Sequence, residues 1–286
     1  MSTQKTWFIT GCSTGFGKIL SELVLKSGDR LIATARNASS LDPLKNFASH
    51  PDQLLTLTLD VNDSAQIKTV VAKAQEQMGR IDVLVNNAGY GYVGALEEVD
   101  MSEVRKVFDT NVFALMEVTQ AILPLMRAQK SGHIINLSSV AGMVGTPGAG
   151  IYNATKFAVE GLSEALSMEL AHFGIKVTII EPGAFRTDFA NRSLHVAPYM
   201  PEYQEALAVS RKYYETIGGQ QPGDPNEAAK AMIEITKLSN PPLRLVMGKI
   251  ALGRIRAKLD QYLKEIATFE KVTLETDYPN SQTLNR

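Results

Sequence analysis

The sequence predicts an α/β protein built on one doubly wound parallel sheet of about seven strands, with helices on both faces. Three observations predict it. Short β-branched and apolar runs alternate with longer segments of 3.6-residue period, the rhythm of strand–helix–strand units. A glycine-bearing stretch, Gly11 to Gly17, separates the first such run from the first such segment. With 44% of 286 residues hydrophobic, the chain can fill one large core.

The elements follow in order. Trp7 to Ile9 is an apolar strand, and Ile19, Leu20, Leu23 and Val24 then share one face of a helix. Leu31 to Ala35 is the second strand, followed by a polar break at Asn37, Ser39 and Pro43. Leu54 to Leu59 is a third, closed by Asp60, and Ile67, Val70, Val71 and Ala74 mark a helix ending near Gly79. Ile81 to Val85 is the fourth strand, running into Asn86-Asn87-Ala88-Gly89. Met101 to Gln129 reads as one extended helix with a kink or break at Pro124. Ile134 to Leu137 is a strand, Ser138 to Gly150 a glycine-rich loop, Tyr152 to Phe173 a helix and Ile175 to Ile180 a sixth strand. Leu243 to Met247 supplies a seventh. Residues 186–222 show no clean period. After Gly248 a helix carries Leu252, Ile255, Leu259, Leu263 and Ile266 on one face, with Lys249, Arg254, Arg256 and Lys258 beside it. No internal repeat or linker divides the chain, so residues 1–286 read as one domain.

Charge and composition exclude several classes. With 29 basic against 30 acidic residues and a net charge of −1, nothing favours nucleic acid as a partner. Cys12 is the only cysteine, so no intrachain disulfide and no thiolate metal cluster can form. The histidines His50, His133, His172 and His195 are never at i, i+4 spacing, so no metal site is expected. No run approaches a membrane span, and Met1 to Thr6 lacks the apolar core of a signal peptide. The expectation is a soluble protein of the cytoplasm.

Chemistry concentrates in three places. In Thr10-Gly11-Cys12-Ser13-Thr14-Gly15-Phe16-Gly17, between strand and helix, glycines permit a sharp turn and close ligand approach, and the free N–H groups of the helix start favour a pyrophosphate. Plain turn glycines are the alternative. Arg36, one residue past the second strand, suits a 2′-phosphate where a carboxylate would select the 2′-hydroxyl, which favours NADP(H) over NAD(H); a solvated surface arginine is the alternative. Tyr152 and Lys156, four apart, share a helix face. A cation beside a phenol favours the phenolate, lowering its pKa from about 10 and making it a usable acid and base. Ser139 ends the fifth strand at the carboxyl edge, where open α/β sheets bind ligands, although a hydroxyl there also suits a loop cap. Asn111 falls within the long helix, as either a functional or a satisfied amide.

Together these residues resemble the short-chain dehydrogenases/reductases, in the single-domain branch with the TGxxxGxG turn and nearest the hydroxysteroid and retinol dehydrogenase-like subgroup. Thr10-Gly11-x-x-x-Gly15-x-Gly17, Asn86-Asn87-Ala88-Gly89, Asn111, Ser139, Tyr152-x-x-x-Lys156 and Pro182-Gly183 with Thr187 match in order, over roughly residues 5–190. The resemblance implies a Rossmann-type fold and an NADP(H)-dependent interconversion of a carbonyl and an alcohol. Tyr152 would be the general acid or base, Lys156 would tune it and bind the nicotinamide ribose, Ser139 would bond the substrate oxygen, and Asn111 would hold a water in a proton relay. Gly11, Ser13, Gly15, Phe16 and Gly17 would line the phosphates and adenosine ribose, Asp60 and Val61 the adenine. Asn87, Ala88 and Gly89 would flank the adenosine side, with Pro182, Gly183, Phe185 and Thr187 around the nicotinamide. It also implies a substrate lid at about 186–222 and a homodimer or homotetramer through residues 101–129 and 152–173.

Phe189, Tyr199, Met200, Tyr203, Tyr213 and Tyr214 in the lid segment suit an apolar substrate, or ordinary packing. The C-terminal extension, about 249–286, reads as a solvated helix, with contact to a membrane surface as the alternative. Two other functions fit less well. A non-catalytic dinucleotide sensor has no need of Asn111, Ser139, Tyr152 and Lys156 together. A sugar-nucleotide epimerase or dehydratase of the larger related branch has a different glycine spacing and a bigger carboxyl-terminal domain.

Overall fold

The computed structural model describes residues 4–278. Strands β1 (Thr6–Ile9), β2 (Arg30–Ala35), β3 (Leu54–Thr58), β4 (Val83–Asn86), β6 (Gly132–Leu137), β7 (Ile175–Pro182) and β9 (Arg244–Met247) form a seven-stranded sheet in the order β3-β2-β1-β4-β6-β7-β9. Every neighbouring pair is parallel. Parallel central strands are covered on both faces, which is why they read as unbroken apolar runs. Trp7, Phe8, Ile9, Leu31, Ile32 and Ala33 all have no accessible surface.

Two cores result. On one face α1 (Gly15–Lys26) and α8 (Pro225–Ile235) bury Leu20, Val24 and Met232 against Trp7, Ile9 and Val85. On the other, α2 (Ser64–Met78), α4 (Ala114–Gln129) and α5 (Gly150–Ala171) bury Val70, Ile122 and Leu170 against Phe8, Ile32 and Ile134. The starts of α2 and α8 are capped by side chains: Asp63 accepts from the Gln66 N–H at 2.9 Å, and Asp224 precedes Pro225 and accepts from the Asn226 N–H at 2.8 Å. The chain order reverses between β1 and β4. That switch point opens a crevice at the carboxyl ends of the strands.

Four elements differ from the sequence expectation. The fourth strand begins at Val83, because the main chain of Ile81 bonds the Gln129 side-chain amide (3.2 and 2.9 Å) instead of a neighbouring strand. The predicted 101–129 helix does not break at Pro124. It is α3 (Met101–Phe108), a wider π turn over Asp109–Phe113, then α4 running through Pro124. Gln120, whose carbonyl loses its partner at Pro124, faces solvent, so the missing bond is tolerated there. The polar break after β2 winds into a tight 3₁₀ helix, Ala38–Phe47. Residues 186–222 contain α6 (Phe189–Arg192), β8 (Leu194–Val196) and α7 (Ala208–Thr216), and β8 pairs in parallel with an unanticipated β5 (Gly91–Val93). Helix α8 also escaped the periodicity reading.

The last element, α9 (Lys249–Leu274), seats its base by Ala251 and Ile255 against Val140, Met143, Val144 and Val246. The rest of the predicted extension, 279–286, lies outside the described residues. No helix among the described residues is long and apolar enough to cross a membrane.

Strand β9 is fastened by charge. Arg244 reaches Glu160 of α5 at 3.1 Å, Glu164 at 2.6 Å and Glu181 of β7 at 3.6 Å, and the Glu160 and Glu181 carboxylates are almost wholly buried. Burial, reinforced by Glu160, pushes the Glu181 carboxyl up to about 7 against the opposing pull of Arg244. Removing the cation leaves two buried carboxylates uncompensated, so Arg244→Met is expected to lose about 3 kcal/mol at pH 8. A group with a raised native pKa is protonated more in the native state than in the unfolded one, so its stabilising contribution falls as pH rises from about 4.5 toward 7. The loss in Arg244→Met is therefore smaller at pH 5.5. Urea midpoints at the two pH values check this.

Candidate active site

The glycine turn is built by close approach. Gly11 and Gly15 hold φ of +71° and +57°, a backbone region that disfavours side chains. A Cβ on Gly17 would collide with the Gly11 carbonyl oxygen, and one on Gly11 would press on Ala88 Cα at 3.1 Å. Asn87 clamps the turn: its Nδ2 donates to the Thr10 carbonyl at 2.9 Å and the Gly11 carbonyl at 3.0 Å. Thr10 Oγ1 returns the bond, accepting from the Asn87 and Ala88 N–H groups at 3.0 Å each. Thr10 is thus part of the site's frame.

The start of α1 carries no side-chain cap from Thr14 and no acidic residue in its first turn. Its orphan N–H groups and positive dipole end therefore face a cradle that only glycines leave open, which fits a pyrophosphate. Across the crevice the segment after β7 meets this turn: the Phe185 and Phe16 rings are 5.4 Å apart, and Thr187 Cβ lies 3.9 Å from where a Gly15 Cβ would stand. Pro182 and Gly183 close β7 beside it, with the Gly183 N–H held by the Met247 carbonyl at 2.9 Å. Ser13 lies half-buried in the turn.

The adenosine-side candidates sit farther along the same edge. Arg36 is exposed past β2 and has no hydrogen-bond or ion-pair partner among the described residues. Val61 lines a small cleft with Thr10, Asn86, Ala88 and Thr110. The Asp60 carboxylate accepts from the Asn62 N–H at 3.0 Å, closing a tight turn. These residues fit the nucleotide half of a dinucleotide.

The second cluster stands on α5 and the end of β6. Tyr152 and Lys156 share a face of α5, with Lys156 Nζ 5.7 Å from the Tyr152 ring centre. Lys156 is only 7% exposed, and its Nζ donates to the Leu137 carbonyl at 2.7 Å. Burial lowers its pKa to about 8 against the opposing pull of Glu160. The sequence argument expects the cation to lower the phenol's pKa. In the structure burial wins, raising Tyr152 above the ordinary phenol value while the Ser139 hydroxyl works the other way. Ser139 Oγ accepts from the Ala141 N–H at 3.1 Å, so it does cap the loop, and it also faces Tyr152.

Asn111 sits in the π turn, 2% exposed. Its Oδ1 accepts from the Tyr90 N–H at 3.0 Å, and its Nδ2 donates to the Tyr90 carbonyl at 2.8 Å and to Thr155 Oγ1 at 3.1 Å. The side chain is fully used inside the protein, one residue from Lys156. Gly89 is confined here, because a Cβ would stand 2.9 Å from Asn111 Oδ1. An i→i+5 bulge of this kind often marks a functional site. No helical pattern in the sequence signals it.

Sequence reasoning also missed the clasp over the cluster. Phe189 of α6 packs on Tyr152 at 5.7 Å between ring centres. The Glu98 carboxylate, with no side-chain exposure, accepts from the Ala95 and Met200 N–H groups at 2.8 Å each and pairs with Arg211 of α7. Burial pushes its pKa up, but those bonds and the guanidinium outweigh it and hold Glu98 below the ordinary carboxylate value. Arg211 stacks on Tyr199, 3.9 Å from the ring centre. Val93, Val196, Leu207 and Tyr214 line a cleft beside this clasp, with Tyr199 and Arg211 at its polar side and free space of about 10 Å³, room for one water molecule. Glutamate at position 98 carries no signature of its distant partners, Met200 and Arg211, which lie 102 and 113 residues away.

Lys156 is thus a charge held in the interior at a cost. A native pKa of about 8 against the ordinary 10.5 means that fewer protons are bound in the native state between those values. Stability from this group therefore rises with pH across that window, and at pH 7 the ammonium is destabilising. Lys156→Met, which keeps the volume, is expected to unfold at an equal or higher temperature than wild type at pH 7 in the cofactor-free protein. Differential scanning calorimetry checks this; a markedly lower midpoint would show that the Leu137 bond outweighs the desolvation.

Residues 5–196 match the family model for short chain dehydrogenases. Oxidoreductase BOA17 of Botryotinia fuckeliana is 38% identical over 248 residues, covering 87% of this chain and 90% of that protein. A 3-ketodihydrosphingosine reductase of Bacteroides thetaiotaomicron is 37% identical over 245 residues, covering 85% and 87%. A solved short-chain dehydrogenase from Streptomyces avermitilis is 40% identical with a TM-score of 0.90, covering 96% of this chain and all of that one. A serine dehydrogenase solved with NADP+ is 29% identical with a TM-score of 0.72, covering 85% and 94%. With its seven-stranded parallel sheet and its match over two thirds of the sequence, the chain belongs to the short-chain dehydrogenases, an oxidoreductase family.

Proposed function

We propose that this oxidoreductase interconverts a ketone or aldehyde and the corresponding alcohol, using NADP(H), with Tyr152 as general acid and base and an apolar substrate. The observation that carries the reading is the juxtaposition of Ser139, Tyr152 and Lys156 at the carboxyl edge of the sheet, beside a glycine cradle shaped for a pyrophosphate. The nicotinamide cofactor, when bound, supplies or accepts the hydride.

The chain's own residues do the rest. The cradle of Gly11, Gly15 and Gly17 with the free N–H groups of α1 holds the phosphates, and Asn87 keeps that cradle in shape. Arg36, unpaired and exposed among the described residues, is free to meet a 2′-phosphate, which supports NADP(H). Tyr152, its pKa raised by burial, keeps its proton through neutral pH and can donate it to a carbonyl oxygen as charge builds there. Ser139 supplies a second hydrogen bond to that oxygen. Lys156, still largely an ammonium at pH 7, stabilises the phenolate left behind and loses that charge above about pH 8. Asn111 is a positioning residue, fixing the Tyr90 backbone and Thr155 beside Lys156. Residues 186–222 act as a lid: Phe189 packs on Tyr152, and the aromatic and apolar side chains that this segment brings beside the cluster suit an apolar substrate. The reductase of a sphingoid ketone among the relatives supports the same class. Exposed Phe113, just before α4, and Phe157, within α5, support self-association there. A cytoplasmic location is part of the same proposal.

The decisive assay follows NADPH and NADH consumption in parallel against ketones and aldehydes, from small polar carbonyls to long-chain and polycyclic ones. Turnover with NADPH and a bulky apolar carbonyl is expected; tight NADPH binding with no turnover on any of them would favour a sensor. Tyr152→Phe is expected to bind NADPH as wild type does while turnover falls about 10²–10⁴-fold. Arg36→Asp is expected to shift the NADPH:NADH ratio of kcat/KM by about tenfold or more toward NADH, the loss of a charge-assisted bond. An unchanged ratio would remove Arg36 from the 2′-phosphate site.

A further inference from the structure

Helix α9 leaves the body of the protein after its first two turns. Every residue from Arg256 to Leu274 is exposed, a rod of 19 residues and about 28 Å that no described residue covers. Its composition does not suit water. Leu259, Tyr262, Ile266 and Phe269 recur at alternating spacings of three and four, with exposures of 45%, 55%, 46% and 62%. Leu263, 64% exposed, widens the stripe. The stripe continues the face by which Ile255 packs on the body. Most helices in proteins draw their stability from packing an amphipathic face, and an apolar stripe of three-four period is the seam by which helices pair.

Charge identifies the partner. From Lys249 to Lys258 the helix holds four basic residues and no acidic one; from Asp260 to Leu274 it holds three acidic and two basic, and Glu275 and Asp277 follow its end. The first half is net +4, and the second is net −1 to the end of the helix and net −3 through Asp277. A second copy laid antiparallel brings each half against its complement, whereas a parallel copy sets like against like. In the antiparallel register centred near Lys264, Leu259 faces Phe269, Tyr262 faces Ile266, and Arg256 lies across from Glu270, each contact made twice by the twofold axis. An anionic lipid surface would attract the basic half but be opposed along the rest of the stripe by the acidic half.

We propose that α9 is a self-association element, pairing antiparallel with α9 of a second copy of this chain through the Leu259–Phe269 stripe. This interface is separate from the Ser139, Tyr152 and Lys156 cluster and from the helices α4 and α5.

The full-length protein tests it in three ways. By sedimentation, Leu259→Asp/Ile266→Asp is expected to halve the mass of the wild-type assembly while the circular dichroism and NADPH binding stay unchanged; an unchanged mass overturns the proposal. Arg256→Glu is expected to weaken association at least tenfold, and Arg256→Glu/Glu270→Arg to restore it to within about threefold; a double variant no better than the single one overturns the pairing. Cys12 is buried, so one added cysteine takes a nitroxide label cleanly. Labels at Glu265→Cys should broaden each other strongly, and labels at Glu275→Cys should lie about 33 Å apart along the pair, from 1.5 Å per residue on each side of the centre. Close approach at both positions means a parallel pair and overturns the proposal. So does a result in which the aspartate variant keeps its mass but loses cosedimentation with phosphatidylserine vesicles, which would assign the stripe to lipid.

Discussion

The Asn87 amide, bonding two carbonyls of the glycine turn across the gap between β1 and β4, is the contact on which the rest of the site depends. Parallel strands deliver all their carboxyl ends to one edge, and the reversal of strand order makes that edge a crevice. A crevice alone binds nothing specific. The clamp draws Thr10, Gly11 and Ala88 so close that only glycine fits at positions 11 and 17, and the uncapped start of α1 then points its N–H groups into the space left. Excluding side chains keeps open the space that the phosphates of the proposed dinucleotide would take. The same economy governs the other end, where Lys156 can reach the Leu137 carbonyl because β6 ends there.

The second half of the site works by keeping charge where the interior resists it. Burial moves Lys156 down toward neutrality and Tyr152 away from ionisation, so neither residue by itself is a ready phenolate–ammonium pair. The pair is poised to form when the phenol gives up its proton, since each ion then offsets the desolvation of the other. On this physical ground the resting phenol keeps its proton, the form that the proposed donation to a carbonyl oxygen requires. Glu160, one turn beyond Lys156, links this helix face to Arg244 and hence to the edge strand β9. Helix α5 therefore presents Tyr152 and Lys156 on its first turns and anchors the sheet edge through Glu160 and Glu164.

What the sequence made legible was local. The apolar runs, the glycine turn between a strand and a helix, and the i, i+4 pair of Tyr152 and Lys156 depend on neighbours within a few residues, and the structure places them as their patterns require. Structure that depends on distant partners was not legible. Glu98 reads as one more surface acid until Met200 and Arg211 come to it from across the chain. Strands β5 and β8 are three residues each and exist because they have each other. The break in the long helix was assigned to Pro124 because proline is the visible helix breaker. The actual irregularity lies at Asn111, where a tertiary requirement, the clamp on the Tyr90 backbone, overrides a propensity that gives no warning.

The same distinction explains α9. Its period was readable, and so was its basic first half, but a sequence cannot say whether an apolar stripe lies on the body or hangs free. The structure shows that only Ala251 and Ile255 are covered. A buried stripe would have satisfied the helix within the chain and left the charge halves without purpose. An exposed one turns both features into a single specification, because the apolar seam supplies adhesion and the opposed charges select orientation. Neither signal alone distinguishes a packing helix, a lipid-binding helix and a pairing helix. Their coincidence on a rod that stands clear of the fold does.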